Sequence, residues 1–437
     1  MRQLATILLL LTTLPTSAQV RHYFEGLART RVQYIGVESD VLTAAPGTTD
    51  YLLDITGDTT TAHLQDIRQS LVNLPAIVEA TYERRLPTTE PGTSDPAPII
   101  IIWTIREGRT IFPLINFGGI RGNSFYQIGF NDIHFRGRGQ ELTGFYQNND
   151  GEHNYLLLLR NQAYRGSRWG YLLEARRYAA VEPVYFPETA VNYRYLNQSY
   201  GAGLSYTLPA RRRFTLGLTT FRERYRKTDE ELARSTPGPE AVDQRKFLLK
   251  TGFTHDRLDQ HEERVSGSHH QTSAQAVLTR GQQERFLIAW HDWRYYRLLG
   301  PAGNLAARLR TGISSNGETP FAPFVLDSQV NIRGSGNRID RGTAQLVLNL
   351  EYRHRIWRER RGRLAVQLVG FSDLGTWRNP GGRLADLWER ESVRHFVGGG
   401  VRLVALRAQG AVLRFDYGVD VGDRRERGFV AGFGQYF

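Results

Sequence analysis

The chain has 437 residues and a net charge of +12, which arginine carries almost alone because Lys227, Lys246 and Lys250 are its only lysines. It contains no cysteine, which excludes disulfides, thiol catalysis and thiolate-bound metals. A mean hydropathy of −0.43 beside 44 Gly, 21 Tyr and 21 Phe excludes a helical membrane protein. The same composition suits a transmembrane β-barrel, in which only alternate residues face lipid.

Residues 1–18, "MRQLATILLLLTTLPTSA", read as a secretory signal peptide. Arg2 is the positive start, Ile7 to Leu11 the apolar core, and Thr16-Ser17-Ala18 the small-residue cleavage site. In an exported chain, scattered arginines argue against nucleic acid. They favour membrane lipid headgroups, lipopolysaccharide phosphates or an internal salt-bridge lattice.

Residues 19–113 predict a small α+β domain. "RHYFEGLART" reads as a strand and turn, and Leu64, Ile67, Leu71 and Leu74 fall on one side of a helix. "AIVEATYERRL" and "PIIIIWTIREG" read as two strands on either side of the turn-rich "PTTEPGTSDPAP". Pro113 is expected to be a hinge into the next domain.

From residue 114 to 437, alternation with period two keeps returning. Tyr200, Ala202, Leu204, Tyr206 and Leu208 alternate with Gly and hydroxyl residues. Leu346, Leu348, Leu350 and Tyr352 alternate with Val347, Asn349, Glu351 and Arg353. Leu413, Phe415 and Tyr417 alternate with Arg414, Asp416 and Gly418. Charges opposite a continuous apolar face suit a barrel with lipid outside and water inside. Dividing this region by about 20 residues per strand and connection gives about sixteen antiparallel strands. "RKTDEELARSTPGPEAVDQRK", "RLDQHEERVSGSHHQ" and "NPGGRLADLWERES" are expected loops. The last strand is expected to be "GFVAGFGQYF", with Gly432 and Gly434 weakening it and Phe437 on its alternating aromatic face.

Enzyme signals fail on inspection. "QHEERV" would need a second histidine at Val265 to be a zinc-protease helix, and His269-His270 are expected in a Gly/Ser loop. "GSGNRI" lacks the strand-to-helix setting of a dinucleotide site, and no Gly-x-Ser-x-Gly elbow occurs. The reading is not an enzyme, with no cofactor and no metal.

"YFEGLARTRVQYI", "IRQSLVNLPAIVEATYE" and "IIWTIREGRTIFP" resemble the opening, crossing and closing of a POTRA domain, and "YQIGFNDIHFRGRGQEL" resembles a first barrel hairpin. "NIRGSGNR", then "LNLEYR" and "VGFSDLGTW", stand where the outer-membrane assembly superfamily of BamA and TamA, the bacterial surface antigen family, carries its inward-folded loop motif. The resemblance implies a mainly β fold: one POTRA-like periplasmic domain, then a sixteen-stranded barrel in the Gram-negative outer membrane. It implies that Ile332, Arg333 and Gly334 form the lumen-loop motif, with Glu351 and Asp373 holding Arg333. Strand parity independently turns Glu351, Gln367, Phe371 and Asp373 toward the lumen. Ser335 departs from the family pattern, which has an aromatic residue there.

The implied function is a β-barrel assembly and insertion factor. Its partners would be unfolded outer-membrane protein clients, membrane lipids, lipopolysaccharide, and periplasmic or lipoprotein accessory subunits. Clients would meet a seam between a first strand around "SFYQIGFNDIHF" and the last strand, which cysteines at Gln127 and Gly434 would lock, and a POTRA edge near "AIVEATYE". The alternative is a polypeptide-exporting outer-membrane pore of the two-partner-secretion type. That type carries two POTRA domains and a plug helix, whereas one domain here implies a reduced member.

Overall fold

The computed structural model describes residues 20–25, 32–35, 51–54, 61–74, 76–85, 99–120, 123–136, 139–186, 189–228, 236–279, 285–326, 330–335, 340–407, 411–422 and 426–437. The expected signal peptide, the linker 87–98 and Gly336 to Arg338 of the loop motif lie outside these residues.

The N-terminal unit contains β1 (Val20–Glu25), β2 (Val32–Ile35), β3 (Tyr51–Asp54), α1 (Thr61–Val72), β4 (Ile77–Arg85) and β5 (Ile99–Glu107). Strand β5 is central, parallel to β1 and antiparallel to β4. The helical spacing read from the sequence has its cause here. Leu64, Ile67 and Leu71 of α1 are buried with Ile77, Ala80, Ile101, Trp103 and Ile105, and Leu74 packs at the margin. At the C-terminal end of the helix, Gln69 Nε2 donates to the Gln260 carbonyl at 3.1 Å, and just past it Asn73 Nδ2 donates to Asp259 Oδ1 at 3.0 Å. The unit therefore sits at one rim of the domain that follows, here termed the near rim.

That domain is a closed barrel of sixteen strands. Its first eleven are β6 (Ile111–Ile120), β7 (Asn123–Phe135), β8 (Gln140–Asn149), β9 (Glu152–Asn161), β10 (Trp169–Tyr185), β11 (Ala190–Leu208), β12 (Arg212–Lys227), β13 (Ala241–His261), β14 (Arg264–Thr279), β15 (Arg285–Leu299) and β16 (Gly303–Ser314). A far-rim connection then carries a short hairpin, β17 (Phe324–Leu326) with β18 (Asp340–Gly342). The barrel resumes with β19 (Ala344–Arg358), β20 (Leu364–Arg378), β21 (Val393–Ala405), β22 (Val412–Asp420) and β23 (Arg427–Phe433). Every neighbouring pair is antiparallel, and β23 returns to β6.

Alternation sorts the side chains as the period-two reading requires. Tyr200, Leu204, Leu208, Leu350, Tyr352, Phe415 and Tyr417 are exposed on the outer surface, while Asn349, Glu351, Arg353, Arg414 and Asp416 are buried inside. Ile128, Leu157, Leu173, Leu218 and Leu249 extend the outer apolar surface around the wall. A belt of that extent on a water-soluble protein would far exceed the few hundred Å² that monomers expose. Around a closed barrel with a charged interior, it is the surface that lipid covers.

Several expectations are corrected. The barrel starts at Ile111, so "SFYQIGFNDIHF" is the second strand, and Pro113 lies within the first strand rather than at a hinge. Proline lacks an N–H, and it is tolerated there because that stretch of β6 has no ladder partner on its β23 side. "RLDQHEERVSGSHHQ" is no long loop, since β13 runs to His261 and β14 resumes at Arg264. A ladder satisfies backbone groups whatever the side chains, so polar composition does not end a strand. His269 and His270 accordingly lie in β14, where the His269 ring sits 3.5 Å from Asp256 and His270 stacks on Trp293. "NPGGRLADLWERES", by contrast, is the connection expected of it, with 3-10 turns at Leu384–Trp388 and Arg390–Ser392.

Candidate functional site: a lumen ion cluster and a short seam

The far-rim connection between β16 and β19 folds back into the barrel. Its apolar anchor is Ile332, buried with Leu326, Val347, Trp377 and Phe396. The turn that follows brings Gly334 (φ 94°) against Gly418 of β22, where an added Cβ would lie 2.8 Å from Gly418 backbone. A Cβ on Gly418 would in turn lie 2.5 Å from the Arg333 carbonyl. Only a glycine pair allows this approach, and it sets the depth of the loop.

At that depth Arg333 is wholly enclosed, as are Glu351 of β19 and Asp373 of β20. Asp373 Oδ2 accepts the Arg333 backbone N–H at 2.9 Å and its Nε at 2.8 Å, while Oδ1 accepts Nη2 at 2.9 Å. Arg333 Nη1 donates to Glu351 and lies 3.9 Å from Asp416 of β22. Two further arginines share these carboxylates. Arg402 of β21 pairs with Asp416 at 2.7 Å and reaches Glu351 at 3.4 Å, and Arg353 pairs with Glu351. Three arginines thus face three carboxylates. A balanced, fully hydrogen-bonded group is the condition under which buried charge is tolerated, because desolvation is then offset by mutual attraction.

The structure therefore brings Ile332, Arg333, Gly334, Glu351 and Asp373 together at one place. Sequence reading did not connect Asp416, Arg402 or Asn349 to it. Their signal was strand parity, since each alternates with outward apolar residues such as Val401, Leu403, Phe415 and Leu350. Ser335 has its own role: its hydroxyl donates to the Ile332 carbonyl at 2.9 Å and closes the turn. The rings near Arg333 come from elsewhere, with Phe371 centred 3.8 Å and Tyr436 4.5 Å from the guanidinium carbon.

The second feature is the closure of the barrel. β23 and β6 share three residue pairs, Phe429↔Gly119, Val430↔Gly118 and Ala431↔Phe117, whereas β22 and β23 share seven. Below them, the Asn116 side chain substitutes for the ladder and accepts the Phe433 N–H at 3.2 Å. Gly432 makes room for it, since a Cβ there would lie 2.1 Å from Asn116 Oδ1. The sequence placed Phe437 on the last strand, and this is corrected: β23 ends at Phe433, Gly434 turns with φ 91°, and Tyr436 and Phe437 are buried inside the lumen. Gln127 pairs with Asn116 across β6–β7, so it does not border the seam.

No family model matches this chain, and no curated protein matches it in sequence. Solved structures do match. BamA from Haemophilus ducreyi lacking POTRA domains 1–3 aligns with a TM-score of 0.50 at 18% identity, over 95% of this chain and 84% of that one. CdiB from Acinetobacter baumannii aligns at 0.59 and 12% identity, over 96% and 74% of the two chains. CdiB from Escherichia coli aligns at 0.58 and 12% identity, over 96% and 76%. The chain is thus a sixteen-stranded barrel of the outer-membrane type. Its fold is that of BamA and CdiB.

Proposed function

We propose that this chain is an insertase for β-barrel proteins of the outer membrane. The observation that carries the reading is the three-pair seam between β23 and β6. An entering strand must have its backbone groups satisfied before it meets lipid, where each orphan is expensive. The β6 backbone edge from Ile111 to Ile115, which has no ladder partner on β23, offers such groups by strand addition, apart from the N–H that Pro113 lacks. Phe117 against Phe429, with ring centroids 6.2 Å apart, would be the outer closure that parts first.

In this reading the near rim faces the periplasm and the N-terminal unit is a POTRA-like domain. Its β4, at one edge of the β1-β5-β4 sheet, would take a client or an accessory subunit by the same strand addition. The Arg333 cluster would hold the far-rim loop inside the lumen, so that the wall stays rigid while the seam opens. No bond is made or broken, and the work is templating and release.

Folding of a urea-unfolded barrel client into liposomes, with and without this protein, tests the reading. Acceleration supports insertion. Client-gated conductance without acceleration would instead favour the export pore, which requires the loop and its arginine to leave the lumen.

A further inference from the structure

We propose that Tyr436 is a positioning residue of Arg333, beside Asp373 and the Phe371 ring of the wall, and that through it the seam strand and the inward loop are mechanically joined. The contact stands on its geometry; its consequence for opening rests on the insertase reading above.

Ser335 leaves the loop without a ring of its own beside Arg333. The segment after β23 supplies one. Three of the four residues past the seam strand, Gly434, Gln435 and Phe437, are gripped by wall arginines: Arg414 Nη1 donates to the Gly434 carbonyl at 3.3 Å and to the Gln435 carbonyl at 2.9 Å. Arg402 Nε donates to Gln435 Oε1 at 3.2 Å, and Arg353 Nη2 to the Phe437 carbonyl at 3.4 Å. Two of these arginines, Arg402 and Arg353, also bind Glu351, the carboxylate that takes Arg333 Nη1. So held, the Tyr436 ring lies 4.5 Å from the Arg333 guanidinium and 5.3 Å from that of Arg414. In a site closed to water, such contacts are at the strong end of their range.

The segment is short. Only Gly434 and Gln435 lie between Phe433 and Tyr436, so the two are at most roughly 11 Å apart along the chain. Displacement of the near-rim end of β23 beyond that must pull Tyr436 off Arg333. Conversely, a seated Arg333 holds the end of the seam strand inward.

The chain contains no cysteine, so Ser335→Cys introduces a single thiol at the loop turn. The experiment reads its labelling by a membrane-impermeant maleimide in proteoliposomes. Tyr436→Leu, which keeps apolar bulk but lacks a ring face, should raise the rate on the order of tenfold, the scale of one lost desolvated cation–π contact. Tyr436→Phe should restore the parent rate. An unchanged rate in Tyr436→Leu, or an equal rise in Tyr436→Phe, would overturn the positioning role. For the coupling, Phe117→Cys and Ala431→Cys are added and oxidised first. The closed seam should slow labelling at position 335 when Tyr436 is present and have no effect in Tyr436→Leu; the same response in both overturns it. Neither measurement involves a client, so this inference and the insertase reading can fail separately.

Discussion

Arg333 and Asp373 are joined by three hydrogen bonds, two from the guanidinium and one from the arginine's own backbone N–H. Asn349 Nδ2 supplies a fourth at 2.9 Å, which fills the acceptor capacity of the carboxylate. Asp373 therefore fixes both the side chain and the main chain of the loop at one point. A lysine at 333 would reproduce the charge but not the fork that meets two oxygens.

Asp373→Asn leaves the shape but turns one acceptor into a donor that faces the guanidinium. Removing one partner from a buried, hydrogen-bonded ion pair costs roughly 3–5 kcal/mol. A drop of that size is expected in the urea unfolding free energy in lipid bilayers. Glu262→Gln is the control: it pairs with Arg358 at the near-rim turn, with both side chains substantially exposed, and should cost about 1 kcal/mol or less. Equal losses would mean that burial of the cluster is not what matters.

Charge reversal asks a sharper question. Arg333→Glu places four carboxylates together beside Arg353 and Arg402, and should lower the unfolding midpoint strongly. Asp373→Arg in the same chain should recover part of the loss only, because an arginine at 373 cannot accept the backbone N–H of residue 333. Full recovery would show that the backbone hydrogen bond carries little of the anchor.

Two wall glycines face the loop, one against its backbone and the other against the end of a side chain. Gly418→Ala would push a Cβ to 2.5 Å from the Arg333 carbonyl, so it should unseat the loop and raise single-channel conductance. At Gly375 the nearest atom to a new Cβ is the Ile332 Cδ1, also at 2.5 Å, which can rotate away. Gly375→Ala should therefore leave conductance close to that of the parent protein.

Gly432→Ala acts on the seam. Its Cβ would displace the Asn116 amide and leave the Phe433 N–H without that acceptor. Faster amide hydrogen exchange at Phe433 and along Phe429 to Ala431 is expected, with no change along β13 and β14. Uniform change over the barrel would point to general destabilisation instead.

Much of this was legible because a barrel enforces period two. Parity alone turns Glu351 and Asp373 inward, and the same rule applied to Arg402 and Asp416 would have completed the cluster. The first strand was harder to see. In "IFPLINFGGI" apolar residues point both ways, with Phe112 buried inside and Ile111, Ile115 and Phe117 exposed outside, so alternation is blurred. The inward turn after Phe433 was hidden for the opposite reason. Alternation continues through Gln435, Tyr436 and Phe437 in the sequence, and the break is the backbone angle at Gly434, which no side-chain pattern records.

In the proposed insertase, clients enter through the seam. Phe117→Cys and Ala431→Cys stand directly opposite each other across β6 and β23. With the disulfide formed and verified, assembly of a barrel client into liposomes should stop, and a reductant should restore it. Undiminished assembly by the locked protein would show that clients do not enter through the seam.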